Sequence, residues 1–165
     1  MSELKIGQSI KTKGFKTVKV IEQLGEGGQG IVYRVDYQGK PMALKWFKAN
    51  AWKKPEAVYE NLKNNIDRGS PAEGVFLWPK DITEWVDGTF GYVMDLRPKE
   101  FIEFTDILVS DGGGGFKSFK AIVEVCIQIV SAFRLLHNAG YSYQNMNSGN
   151  YFINPKSGQV IMICD

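Results

Sequence analysis

The sequence predicts an α+β chain in which an antiparallel sheet with one helix comes first and a mainly helical part follows. Three observations carry that expectation. A glycine-rich turn, Gly25-Glu26-Gly27-Gly28-Gln29-Gly30, is flanked by β-branched and aromatic runs of strand character. The segment Pro55 to Arg68 carries one apolar helical face, and after Arg97 strands give way to a long helix over Phe116 to Asn138.

Composition sets outer limits. The 165 residues are 44% hydrophobic, which suffices for a real core, and their number suits one domain. With 20 basic and 18 acidic residues the net charge is +2, which points to no polyanionic partner such as nucleic acid. Lys5, Lys11, Lys13, Lys16 and Lys19 read as a solvated approach to the first strand, since no aromatic residues interleave in a nucleic-acid motif. The N-terminus lacks the apolar core of a signal peptide and no run is long enough to span a bilayer, so a soluble, cytoplasmic protein is expected. Cys126 and Cys164 fall in a helix and a strand that both read as buried, without metal-ligand spacing, and are expected to be reduced core residues.

Taken in order, residues 1 to 17 offer short alternating pieces that suit an extra strand or an arm. Thr17 to Leu24 is the first strand of the glycine hairpin. In a dinucleotide-binding fold the last glycine would open a helix, but here Ile31 to Tyr37 follows and reads as a strand, so the turn joins two antiparallel strands. Gln38-Gly39-Lys40-Pro41 turns the chain into a third strand, Met42 to Phe47. Alternation puts Ala43 and Lys45 on one face, which Val32 can share across the turn. A plainer account is a polar hairpin turn followed by a lysine that snorkels from a strand edge.

Pro55 opens a helix with Tyr59, Leu62 and Ile66 on one side, and Gly69-Ser70-Pro71 ends it. Val75 to Trp85 and Thr89 to Leu96 read as fourth and fifth strands around an Asp87-Gly88 turn. Glu100 to Leu108 suits a short helix and Ser110 to Gly115 a flexible connector; with no strand before it and no Lys-Ser/Thr after it, the connector is not a second phosphate loop. In the long helix Ile122, Val125, Cys126, Ile129, Val130, Phe133 and Leu136 recur at helical spacing, and Gly140 suits its cap. His137, in the last turn, is accounted for by the helix dipole and is given no catalytic role.

This order of features resembles a protein kinase of the eukaryotic serine/threonine type, with a small lobe over residues 1–97 and the start of a large lobe over 98–165. Gly25, Gly27, Gly30 and Val32 match the family's GxGxxGxV, and Ala43-Leu44-Lys45 matches the end of its VAIK motif. The resemblance implies a five-stranded antiparallel sheet with one helix, followed by a truncated, mainly helical large lobe. It also implies ATP and Mg²⁺ as ligands. Gly25, Gly27, Gly28 and Gly30 would close over phosphates, Val32 and Ala43 would roof the adenine, and Lys45 would reach the α- and β-phosphates. Glu60, with Glu56 as the alternative, would orient Lys45; the plainer account makes both solvent-facing charges, with Lys63 as the partner of Glu60. Met94 would be the gatekeeper, Asp95 to Arg97 the hinge and Phe152 the floor of the adenine pocket, while Asn150 and Asp165 would hold the metal.

Two departures limit that implication. Asn145 stands where the family has its catalytic aspartate, Tyr143-Gln144 replace His-Arg, and Asn147 replaces a lysine that steadies the γ-phosphate. An amide accepts no proton at a useful pH, so the general-base role is lost. The sequence also stops at Asp165, which implies either a fragment of a longer protein or a partner, or a second copy, that covers the apolar face of the 116–138 helix. The expectation is an ATP-binding kinase-like domain inactive in this form. The alternative is a pseudokinase or interaction module with a regulatory or scaffolding role.

Overall fold

A computed structural model of the chain describes residues 3–109, 115, 116 and 118–163. In chain order the elements are β1 (Ser9–Lys11), β2 (Thr17–Glu26), β3 (Gly30–Tyr37), β4 (Lys40–Phe47), α1 (Pro55–Arg68) and β5 (Phe76–Leu77). They continue with β6 (Asp81–Ile82), β7 (Gly91–Met94), β8 (Ile102–Glu103), α2 (Phe104–Val109), α3 (Phe119–Asn138), a 3-10 turn (Ser148–Asn150), β9 (Tyr151–Ile153) and β10 (Val160–Ile163). Two compact units form: Met1–Gly69 with Trp78–Leu96, and Ser70–Leu77 with Arg97–Asp165.

In the first unit six strands lie in the order β1-β2-β3-β4-β7-β6, each antiparallel to its neighbour. The sixth strand is β1, from the stretch read as a strand or arm. The sheet curls until its ends meet, because Thr12 bridges Thr83, the Lys13 amide donates to the Ile82 carbonyl at 2.8 Å and the Glu84 amide to the Lys11 carbonyl at 2.9 Å. Asp81 reinforces the seam: its carboxylate accepts from the Tyr37 hydroxyl at 2.7 Å and from the Gly14 amide at 3.3 Å. Strand alternation sends Val18, Val20, Ile31, Tyr33, Val35, Leu44, Trp46 and Val93 into one core, joined by Leu4 and Ile10.

The two-residue turn Gln38-Gly39, with φ of 55° and 80°, gives the β3–β4 hairpin the twist its strands need. Pro41, expected in that turn, lies within β4 opposite Asp36. Helix α1 starts with Pro55 and stops where Gly69 takes a φ of 75°. Its buried residues, Tyr59 and Leu62, face the unit, and the Tyr59 hydroxyl donates to the Thr83 carbonyl at 2.9 Å.

The expected fourth strand, Val75 to Trp85, is divided. Pro79 has no N–H to give a ladder and restricts Trp78 before it, so pairing stops between Leu77 and Asp81. The first piece, β5, joins the second unit, where it runs parallel to β10 in a four-stranded sheet of order β5-β10-β9-β8. The segment Ser70–Leu77, expected with the first part of the chain, therefore belongs to the second unit.

In that unit α3 begins at Ser118, whose hydroxyl accepts from the Ala121 amide at 3.2 Å. Gln128 fastens α3 to β10, donating to the Gly158 carbonyl at 2.8 Å and accepting from the Val160 amide at 3.1 Å. Val125, Ala132 and Leu136 are buried, and Phe133 packs edge-on to Tyr143 at 5.3 Å. The face expected to stand open included Phe133 and Leu136. The observed open strip is Phe119, Ile122, Val123, Cys126, Ile127 and Val130 instead, because α3 is apolar on two sides and the sheet takes the other one. Cys126 is exposed rather than buried for the same reason. Cys164 and most of the Ser110 to Gly115 connector lie outside the described residues. No helix among the described residues is long and apolar enough to cross a membrane.

Candidate functional site

The glycine turn is tighter than its motif. Gly25 and Glu26 still belong to β2, with Gly25 opposite Val32, and the Gly27 amide closes the turn on the Gly30 carbonyl at 2.8 Å. Gly30 is required by packing, since a Cβ there would meet the Trp46 carbonyl oxygen of the adjacent strand at 2.3 Å. Around Gly25, Gly27 and Gly28 nothing lies within 4 Å of the place a Cβ would take.

Pairing puts the expected residues of the sheet on one face. Val32 lies opposite Lys45, Ala43 opposite Met94, and Lys45 opposite Tyr92, so Val32, Ala43, Lys45, Tyr92 and Met94 share the side away from the core described above. Lys45 lies beside an aromatic ring there, with Nζ 5.7 Å from the Phe47 centroid. Phe47 itself packs on Phe90 at 5.2 Å and on Tyr92 at 5.9 Å. Loss of water around the ammonium pulls its pKa from the ordinary lysine value down to about 8.

Glu60 is not beside that ammonium. Its carboxylate binds Lys63 Nζ at 2.9 Å, and 61% of its side chain is exposed. The reason is helix rotation: Tyr59 and Leu62 fix which side of α1 is buried, and Glu60 follows Tyr59 by about 100° around the axis. The local i,i+3 pair replaces the expected pair with Lys45. Glu56, three residues before Tyr59, is also exposed. Replacing Glu60 by alanine should therefore cost at most about 0.5 kcal/mol of stability, as for other exposed helix pairs. Chemical denaturation checks this, and a cost above about 1 kcal/mol would mean that Glu60 has a buried partner.

At the end of β7, Asp95 turns its carboxylate to Lys80 at 2.7 Å, which leaves the main chain as the part of this segment able to read a ligand. In the second unit, Arg97 lays its guanidinium over the Phe152 ring, 4.5 Å from the centroid. Phe152 alternates in β9 with Tyr151 and Ile153 and is opposite Ile161 of β10 and Glu103 of β8.

The loop before β9 is held by its own amides. Asn150 Nδ2 donates to the Asn145 carbonyl at 2.8 Å, so the five-residue spacing is a physical contact and Asn150 Oδ1 is left to accept or ligate. Asn147 Oδ1 accepts from the Gly149 amide at 2.9 Å, and its Nδ2 donates to Asn145 Oδ1 at 3.0 Å. Asn145 Oδ1 thus accepts from its neighbour, and its side chain is a neutral amide without the proton affinity of a base. Asp165 lies outside the described residues, and among those described no cluster of three His, Cys, Asp or Glu could hold a metal.

Solved structures with this geometry define the class. The chain has a protein kinase-like fold: it matches the PknI kinase domain of Mycobacterium tuberculosis with a TM-score of 0.75 at 18% identity, covering 99% of this chain and 62% of that one. A second crystal structure of the same domain matches with a TM-score of 0.73 at 19% identity, covering 98% of this chain and 61% of that one. Vaccinia related kinase 3 matches with a TM-score of 0.73 at 15% identity, covering 98% of this chain and 51% of that one. The chain thus spans 62% of the PknI kinase domain chain. No family model and no curated protein sequence matches, so the relation is visible in fold alone.

Proposed function

We propose that this chain is an ATP-binding, protein kinase-like domain that does not transfer phosphate in this form. The observation that carries the reading is the face shared by Val32, Ala43, Lys45 and Met94, small and apolar at one end with a desolvated cation at the other. Such a face suits a flat base beside an anionic chain. Lys45 would pair with the α- and β-phosphates, the backbone of Gly27 and Gly28 would approach them, and main-chain groups of Asp95 to Arg97 would hydrogen-bond the base edge.

The residues present suit Mg²⁺ carried in on phosphates better than a protein-only metal site. As the family resemblance implies, Asn150, whose Nδ2 is engaged by the Asn145 carbonyl, would offer Oδ1 as one ligand and Asp165 would supply a carboxylate. When bound, the metal neutralises charge on the phosphates. Asn145 cannot remove a proton from a substrate hydroxyl, and a positioned base is worth about 10²–10⁴ in rate. Serine or threonine as the acceptor rests only on the family resemblance.

A thermal-shift titration with Mg-ATP tests the binding. Ligand at 100 times its Kd should add about 2.7 kcal/mol of stability. No shift would overturn the reading, and robust γ-phosphate transfer would overturn the assigned inactivity. A second reading, an interaction module, is favoured by the open apolar strip of α3. A size measurement in solution separates it, since a clean monomer would leave self-association through that strip without support.

A further inference from the structure

Phe15 is 98% exposed and stands in the turn between β1 and β2. Its backbone takes a φ of 57°, a left-handed conformation that suits glycine or asparagine and strains a bulky residue. The ring therefore neither packs in the core nor eases the turn that carries it. That turn is firmly held. The Phe15 amide donates to the Thr12 carbonyl at 3.1 Å and the Thr12 amide to the Lys16 carbonyl at 2.9 Å, while the amides of Lys13 and Gly14 are fastened to Ile82 and Asp81 across the seam. Residues 11–16 carry three lysines and no acid. Lys11 and Lys13 are exposed and make no ion pair among the described residues, and Lys16 lies over the Tyr37 ring, 5.1 Å from its centroid. Of the carboxylates on the facing side of the seam, Asp81 is buried and accepts from Tyr37 and Gly14, and Glu84 is exposed beside Lys11.

We propose that this turn is a docking element for an anionic lipid surface, with the Phe15 ring entering the boundary between headgroups and acyl chains and Lys11, Lys13 and Lys16 meeting lipid phosphates and carboxylates. A bilayer asks for no shape match: an aromatic wedge with cations at headgroup depth is enough. Each lysine near such a surface strengthens binding about fivefold, and burial of the ring about 10- to 100-fold. Together they give on the order of 10³–10⁴, comparable to a single acyl chain, so attachment is weak and reversible. The proposal does not depend on the nucleotide reading.

Co-sedimentation of the chain with vesicles of phosphatidylcholine alone, or mixed with phosphatidylserine, tests this. The wild type should sediment with the mixed vesicles only, and added salt should release it. Phe15→Asn relieves the left-handed strain, so it should melt no lower than the wild type yet bind about 10- to 100-fold more weakly. Lys13→Gln should weaken binding about fivefold. In Phe15→Trp binding should persist, and lipids brominated in the acyl chains should quench the added indole fluorescence. No sedimentation of the wild type with the mixed vesicles overturns the proposal. So does binding that survives Phe15→Asn unchanged, which would leave charge attraction without insertion. Equal capture by soluble polyglutamate, lost alike in Phe15→Asn, would make the partner an acidic protein surface and overturn the lipid.

Discussion

Lys45→Met should weaken Mg-ATP binding by about 10- to 100-fold, the loss of one charge-assisted contact to phosphate, while the chain remains folded. Methionine keeps the length and apolar bulk of the lysine stem, so the effect reports the charge. The pH dependence sharpens the test. With its pKa drawn down to about 8, Lys45 is charged below that pH and neutral above it in the free protein. Bound phosphates would restore the charged form, so binding above about pH 8 takes up a proton and affinity should fall by up to tenfold per pH unit. Lys45→Met should show a flat profile over that range. Stability should run the other way: the unfolded chain holds the lysine proton more strongly between about pH 8 and the ordinary lysine value, so unfolding free energy rises with pH across that window. Titrations at pH 7, 8 and 9 decide it, and an affinity indifferent both to pH and to Lys45→Met would remove this lysine from the site.

Gly30→Ala should have the largest effect on folding. The new methyl would sit 2.3 Å from the Trp46 carbonyl oxygen and 3.2 Å from the Phe47 Cα, both main-chain atoms of β4, so neither can swing aside as a side chain would. Relief requires β3 and β4 to separate at their end, where Gly30 pairs with Phe47. A cost of about 3–5 kcal/mol is expected, a large part of the stability of an ordinary domain and about 10 °C or more in Tm. Gly28→Ala is the companion variant, because nothing lies within 4 Å of its new methyl. It should melt within a few degrees of the wild type yet bind ATP less well if the turn closes on phosphates. Equal melting temperatures for the two variants would contradict the close approach at Gly30.

Much of this was legible in the sequence where local pattern and function coincide. The strands on either side of the glycine turn alternate cleanly, and the face shared by Val32, Ala43 and Lys45 follows from that alternation and a two-residue turn. The spacing of Asn145 and Asn150 was also visible, although the hydrogen bond it creates was not. What sequence reading lost depended on distant partners. The piece Phe76–Leu77 has strand character, but its parallel partner β10 lies far along the chain, and only Pro79 signalled that the run was broken. The side of α1 on which Glu60 falls was set by Tyr59 and its bond to Thr83, which the helical period could not rank against Lys45. In α3 two apolar stripes share one helix, and nothing local says which of them the sheet will cover.

The seam at Thr12 and Thr83 dictates an order of folding. Its contacts join residues far apart in the chain, at least 67 apart as between Gly14 and Asp81, so they carry a loop-closure cost that the β2–β3–β4 hairpins do not. The hairpins, that of β1 with β2 among them, can form from neighbouring residues, whereas the seam itself closes only after β6 has arrived. During synthesis β1 leaves the ribosome ahead of β6, and its outer edge stays unpaired until the seam closes. Until then two strand edges of the sheet remain unpaired and able to recruit another chain, which makes the interval before closure the period of greatest aggregation risk.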